Sequence, residues 1–214
     1  MKIPHSIQRR LRAEGNILPP GSLPAGSRGV ILSKALQLFA ERGFGSASIR
    51  DLAALVGIKS ASLYSHYPSK THVLAELMRI GHQEHFRRIR EAMIGSSADP
   101  KAQLVALVRA HVLAHAEYPM LAVVANSEMH ALPPEFAAPS VELRRQSESL
   151  LIDVIRRGVA QGVFDVDDPA LALSAIGAMG QRVAHWYAPE LGKTPEQIAD
   201  GYAEYACRIV GAKA

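Results

Sequence analysis

The chain has 214 residues, of which 48% are apolar and 21% charged, and its formal net charge is +4. That length has room for a small domain and a larger one, and the composition is that of an ordinary globular protein. Polar or charged residues break every apolar run short of the 18 or so that a membrane helix needs, and no secretory-type apolar stretch opens the sequence. A single cysteine, Cys207, excludes a disulfide framework and points to a reducing cytoplasm.

The charge is unevenly divided. Residues 1–70 hold ten Lys and Arg against Glu14, Glu41 and Asp51, a net of +7, whereas residues 71–214 hold 14 against 17 acids, a net of −3. A basic first third on a mildly acidic remainder directs one end of the chain toward a polyanion.

Residues 1–24 carry Pro4, Pro19, Pro20 and Pro24 with Gly15 and Gly21, and no apolar period survives there. They read as a flexible arm made basic by Lys2, Arg9, Arg10 and Arg12, of the kind that tracks phosphates or enters a minor groove. From Arg28 to Arg42, Val30, Ile31, Ala35, Leu38 and Phe39 recur at helical spacing, and Gly43 supplies a stop. Residues 48–56 form a second helix, with Ser48 as its cap, Ile49, Leu52, Ala53 and Val56 on one face, and Gly57 at its close. A third runs from about Ser60 to His66 and ends at Pro68. Ser69 then caps a long fourth helix, whose face of Val73, Leu77, Ile80, Phe86, Ile89 and Met93 continues to Gly95.

Beyond Pro100 the pattern predicts helices near 101–117, 120–131, 134–161, 168–187 and 194–211. No stretch alternates apolar and polar residues as a strand would. The expected fold is all-α with about nine helices: a basic N-terminal domain over 25–85 and a helical domain over 86–214.

Helix 48–56, the turn at Gly57 and helix 60–66 make a helix-turn-helix over 48–67. Ala53 allows a close crossing, and Ile49, Leu52, Val56, Ile58 and Leu63 pin the pair against the first helix. That leaves Ser60, Ala61, Ser62, Tyr64 and Tyr67 pointing outward, with His66 on the same short helix. Hydroxyls and phenols there suit base edges and phosphates in a major groove, with Ser48, Arg50, Lys59 and Lys70 as phosphate partners.

The stretch "ALQLFAERGFGSASIRDLAALVGIKSASLYSHYPSKTHVL", residues 35–74, resembles the DNA-binding unit of bacterial transcriptional regulators of the TetR type. The Phe-Ala-Glu-Arg-Gly-Phe end of the first helix and the Leu-Tyr-Ser-His-Tyr-Pro-Ser-Lys close carry the likeness. Lys59 stands where the family commonly has Ser, Ser60 where it has a basic residue, and Tyr67 where it has Phe. The resemblance implies a homodimer on double-stranded operator DNA, released when a small-molecule effector enters the C-terminal helices, with repression as the usual mode.

Two further stretches, "HVLAHAEYPMLAVVANSEMHALPPE" and "AMGQRVAHWYAPE", resemble the branch of that family answering to acyl-coenzyme A thioesters. Arg144, Arg145 or Arg182 would then meet the ligand's phosphates. Expected pocket residues are Met93, His111, His115, Met120, Val124, Met129, Phe136, Met179, Arg182 and Trp186, although Met and aromatic positions also serve as plain core. The small residues Ala175, Gly177 and Ala178, with Tyr202 and Tyr205, suggest a four-helix dimer interface.

His111 and His115 sit one helical turn apart, which is metal-ligand spacing, and Glu117, Glu128 or His130 would have to complete such a site. A metal-responsive regulator is therefore one alternative and a ligand-independent DNA-binding protein another. A packed or pocket-lining histidine pair is the default, so no metal and no cofactor are expected. His82 and His85 read as surface residues of the long helix. With no phosphate loop, nucleophile elbow or fixed carboxylate pair, and no base beside Cys207, no catalytic residues are expected.

Overall fold

A computed structural model describes residues 17–213, which are helical without a strand. Nine α-helices follow in order among them: α1 (Ser27–Arg42), α2 (Ile49–Val56), α3 (Ser60–His66), α4 (Lys70–Gly95), α5 (Pro100–Glu117), α6 (Pro119–Ser127), α7 (Pro134–Ala160), α8 (Pro169–Trp186) and α9 (Pro195–Ile209). Residues 1–16 of the expected arm lie outside the described residues. Just past them Leu18 is buried in a helical core, with Ile17 packed beside it. No helix among the described residues is long and apolar enough to cross a membrane.

The expected helix over 120–131 ends early. α6 stops at Ser127, and a separate 3-10 turn covers Met129–Ala131. Leu132, which precedes Pro133, is extended at φ −92° and ψ 136°. Proline disfavours the α conformation in the residue before it, so the helical run cannot extend into α7.

Contacts divide the chain into two compact units. The first comprises residues 17–83 and 118–141, the second residues 84–117 and 142–213. α4 and α7 each contribute to both.

In the first unit α1 packs against α2, α3 and α6. Its core includes Ile31, Leu36, Phe39, Leu52, Leu63, Leu74 and Leu77. Phe39 and Phe44 meet edge to face at 5.3 Å between ring centres, a favoured aromatic arrangement. Glycine allows α4 to approach α6, because a β-carbon at Gly81 would lie 3.1 Å from that of Ala125.

In the second unit α5 lies along α9 and α8. Leu104, Leu107, Val108 and Val112 of α5 meet Val154, Ile155, Ile176, Val183, Ile198 and Ala206 in one apolar cluster. Gly158 leaves space for the Phe164 ring. The Asp165 N–H bonds Val210 O at 2.9 Å and the Lys213 N–H bonds Val163 O at 3.1 Å, which tie the turn after α7 to the segment after α9.

Candidate functional site

Ser48 opens α2 through reciprocal bonds. Its Oγ accepts the Asp51 N–H at 3.1 Å, while Asp51 Oδ2 accepts the Ser48 N–H at 2.9 Å and the Ser48 hydroxyl at 2.6 Å. This capping box satisfies two backbone donors that a helix start leaves open. The same bonds hold the Asp51 carboxyl below its ordinary pKa. Gly57 closes α2 in the left-handed region at φ 78° and ψ 29°, where a β-carbon is disfavoured. Leu52, Ala53 and Leu63 are all buried, so α2 and α3 cross on small and apolar side chains.

That commitment decides what α3 presents. Ala61, Ser62 and Tyr64 are exposed, Tyr64 at 52%. Ser60 is half-buried, and Arg50 and Lys59 flank the helix as exposed cations. An open hollow of about 690 Å³ lies between the starts of α2 and α3, lined by Ala47, Ser48, Ile49, Arg50, Ser60, Tyr64 and Lys70. With its side chains an α-helix is a rod about 10–12 Å across. Such a rod, carrying hydroxyls and flanked by cations, matches a major groove about 12 Å wide.

Two expected DNA contacts are placed otherwise. Tyr67 does not point outward: it is 1% exposed. It lies four residues after Leu63 and so shares the inward face of that turn. The Arg28 guanidinium sits 4.6 Å from the Tyr67 ring centre and pairs with Glu76 at 2.8 Å. Burial, reinforced by Glu76, pushes the Tyr67 hydroxyl up to about 12.

Lys70 is also engaged internally. Its ammonium donates to Phe44 O at 2.6 Å and Ala47 O at 2.7 Å, and lies 4.1 Å from the Phe44 ring centre. An ammonium has three donors, so one remains for a phosphate, and the main work of Lys70 is to hold the turn between α1 and α2. Glu128, named above for a metal, supports the same turn by accepting the Phe44 N–H at 3.1 Å. His66 is half-buried in the last turn of α3.

The second unit contains a histidine cluster that includes a residue expected at the surface. His85 of α4 is half-buried, and its Nε2 lies 2.8 Å from Nδ1 of His111 on α5. His111 Nε2 is 3.0 Å from Gly177 O on α8, and His115 Nδ1 is 2.7 Å from His111 O. Carbonyl oxygens only accept, so His111 carries its proton on Nε2 and His115 on Nδ1. Burial lowers the pKa of His111. With that imidazole neutral, its Nδ1 accepts the bond from His85. Gly180 makes room for the ring, since a β-carbon there would collide with His111. His82, also expected at the surface, is buried at 6% in the first unit.

A signal for both histidines existed in the sequence. Met78, His82, His85 and Ile89 stand at i, i+4, i+7 and i+11, one stripe of a helix. Met78 and Ile89 are buried. The partner of the His111 and His115 pair came from this stripe. Glu117 instead pairs with Arg88 at 2.8 Å, and His130 is exposed.

The other expected pocket residues divide between the units. In the first, Met120 and Val124 are core, with Met129 and Phe136 packed against it. In the second, Met93, Met179 and Trp186 pack against the core there, and Arg182 is exposed. Trp186 stacks on Tyr202 at 6.3 Å between ring centres. Ala175, Ala178 and Tyr205 are exposed, Gly177 and Tyr202 half-buried.

Among the described residues, α2, a left-handed turn at Gly57 and an exposed α3 make the arrangement of a helix-turn-helix. Residues 31–77 match the pattern of bacterial regulatory proteins of the tetR family, and residues 97–210 match the tetracyclin repressor-like C-terminal domain. The chain belongs to the TetR family of DNA-binding transcriptional regulators. It is 32% identical over 180 residues to the HTH-type transcriptional repressor KstR2 of Rhodococcus jostii, spanning 83% of this chain and 88% of that one. It superposes on the ketosteroid transcriptional regulator KstR2 of Mycobacterium tuberculosis with a TM-score of 0.82 and 26% identity, covering 92% of this chain and 100% of that one. AibR, crystallised with isovaleryl coenzyme A and operator DNA, shares the fold at a TM-score of 0.75 and 23% identity, covering 86% and 97% of the two chains.

Proposed function

We propose that this regulator is a cytoplasmic homodimeric repressor, released from its operator by an acyl-coenzyme A thioester, and that it catalyses no reaction of its own. The observation that carries the DNA half is the exposed face of α3: Ala61, Ser62 and Tyr64 beside Arg50 and Lys59. Ser60 and the two flanking cations supply phosphate contacts, while Tyr64 and Ser62 read base edges. Functionally, the arm over 1–24 and the domain over 25–85 meet DNA, and the domain over 86–214 senses the effector and dimerises.

Repression is supported by the KstR2 relatives, which are transcriptional repressors. The thioester is supported by the stretches quoted above and by a fold that, in AibR, has been crystallised with an acyl-coenzyme A and DNA together. Arg144 and Arg145 are exposed and pair on their own helix with Glu148 at 2.9 Å and Glu142 at 2.7 Å. Ion pairs on an exposed surface contribute little, so either guanidinium can exchange its carboxylate for a phosphate. For the dimer, Leu171, Ala175, Ala178 and Arg182 form one exposed stripe on α8, and Tyr205 and Ile209 are exposed on α9. Small residues let a second copy approach closely.

The test is fluorescence anisotropy on an operator selected from random duplexes, titrated with thioesters of fatty, sterol-derived and aromatic acids. The expected result is release by one thioester class, with no response to its free acid or to coenzyme A alone. Operator affinity unchanged by every thioester would remove the proposed effector.

A further inference from the structure

His85, His111 and His115 bring three imidazoles from two helices into one place, with one ring nitrogen of each within 4.8 Å of the others. Their ring centres are 5.1, 5.6 and 4.6 Å apart. We propose that these three side chains form a divalent transition-metal site, with zinc as the ion it suits best.

Two bonds already in place fix which ring nitrogen of His111 and of His115 carries the lone pair. Gly177 O takes the proton on His111 Nε2, which turns the Nδ1 lone pair of His111 toward His85. His111 O takes the proton on His115 Nδ1, so the lone pair of His115 is on Nε2. Metal-bound histidines commonly donate their other N–H to a carbonyl in this way, which fixes tautomer and ring orientation. His85 completes the set by moving its proton from Nε2 to Nδ1, so three neutral imidazoles bind without net loss of a proton. The bond between His85 and His111, 2.8 Å long, gives way to the ion. Bonds of about 2.0–2.1 Å in a tetrahedral site separate two ligands by roughly 3.4 Å, so this pair opens by about half an ångström.

The ligand chemistry selects the ion. Three imidazoles with no carboxylate favour zinc, copper or nickel over magnesium or calcium. Three protein ligands leave a fourth tetrahedral position for water or for an oxygen or sulfur atom of a small molecule. Gly180 is part of the site, because any side chain there displaces His111. This proposal is independent of which effector the regulator answers to.

The test uses untagged full-length protein stripped with EDTA, titrated with Co²⁺ and followed by its visible ligand-field absorption, then challenged with Zn²⁺. The expected result is tetrahedral bands that saturate at one Co²⁺ per chain and are abolished by Zn²⁺. His85→Gln and His115→Gln should each weaken Co²⁺ binding by at least the roughly 10–100-fold that loss of an outer partner costs, with helical circular dichroism preserved. Gly180→Ala should weaken it as well. If His115→Gln fails to fold, half-buried His85→Gln decides alone. Absence of ligand-field bands, or bands that His85→Gln leaves at wild-type affinity, would overturn the assignment.

Discussion

Replacing Lys70 with Met separates a structural brace from a DNA contact. The substitution keeps most of the aliphatic stem and removes the ammonium that donates to Phe44 O at 2.6 Å and Ala47 O at 2.7 Å and lies over the Phe44 ring. A hydrogen bond from a charged group contributes about 1.5–3 kcal/mol. Lys70 is half-buried, so water can reach the freed carbonyls, and the two bonds together should contribute about 2 kcal/mol rather than their sum. At about 2–4 °C per kcal/mol for a chain of this length, the melting temperature should drop by about 4–8 °C. A free phosphate-binding lysine would behave differently: its loss lowers the salt slope of DNA binding by about one unit and leaves the melt alone. Thermal melting and a salt series of operator binding on the same preparation make the comparison. An unchanged melting temperature with a full unit lost from the slope would refute the brace.

Tyr67→Phe should leave operator affinity within twofold of the parent, because the residue is buried rather than facing DNA; a tenfold loss in anisotropy would return Tyr67 to the DNA surface. Acid should destabilise the metal-free protein through His111, which is faced by His85, His115 and Arg144. Its pKa is lowered in the folded chain and is about 6.5 when unfolded, so the unfolded chain takes up the proton first. The stabilisation is complete above that unfolded value and lost as pH falls below it; a melting temperature flat from neutral pH to about pH 5.5 would contradict this. Gly177→Arg or Ala178→Arg should give monomers in sedimentation, and a persistent dimer would move the interface off α8.

The helices were legible because each is bounded by residues with one strong local meaning. Ser48 and Gly57 bracket α2, Pro68 ends α3, and Ser69 begins α4, where its Oγ accepts the His72 N–H at 3.4 Å. The face of α3 was legible too, since burying Leu52, Ala53 and Leu63 leaves Ser62 and Tyr64 no side but the outer one. The polar hydroxyl of Tyr67 suggests a surface position, whereas its spacing from Leu63 places it inside. Lys70 shows a different limit. Its bonds reach back 23 and 26 residues, and helical periodicity carries no information at that range. His85 combines both problems: its stripe on α4 was readable, but its meeting with His111 depends on how α4 and α5 pack. α6 joined the compact unit of α1 for a similarly long-range reason.

The most direct measurement of whether α3 reads DNA is the operator affinity of Tyr64→Ala against the parent protein, by anisotropy at matched salt. Tyr64 is 52% exposed, so its truncation should leave the melting temperature nearly unchanged. Specific binding should fall to the level of random duplex while weak, salt-dependent binding persists. Parental affinity and sequence preference in a folded Tyr64→Ala protein would remove α3 from the DNA interface.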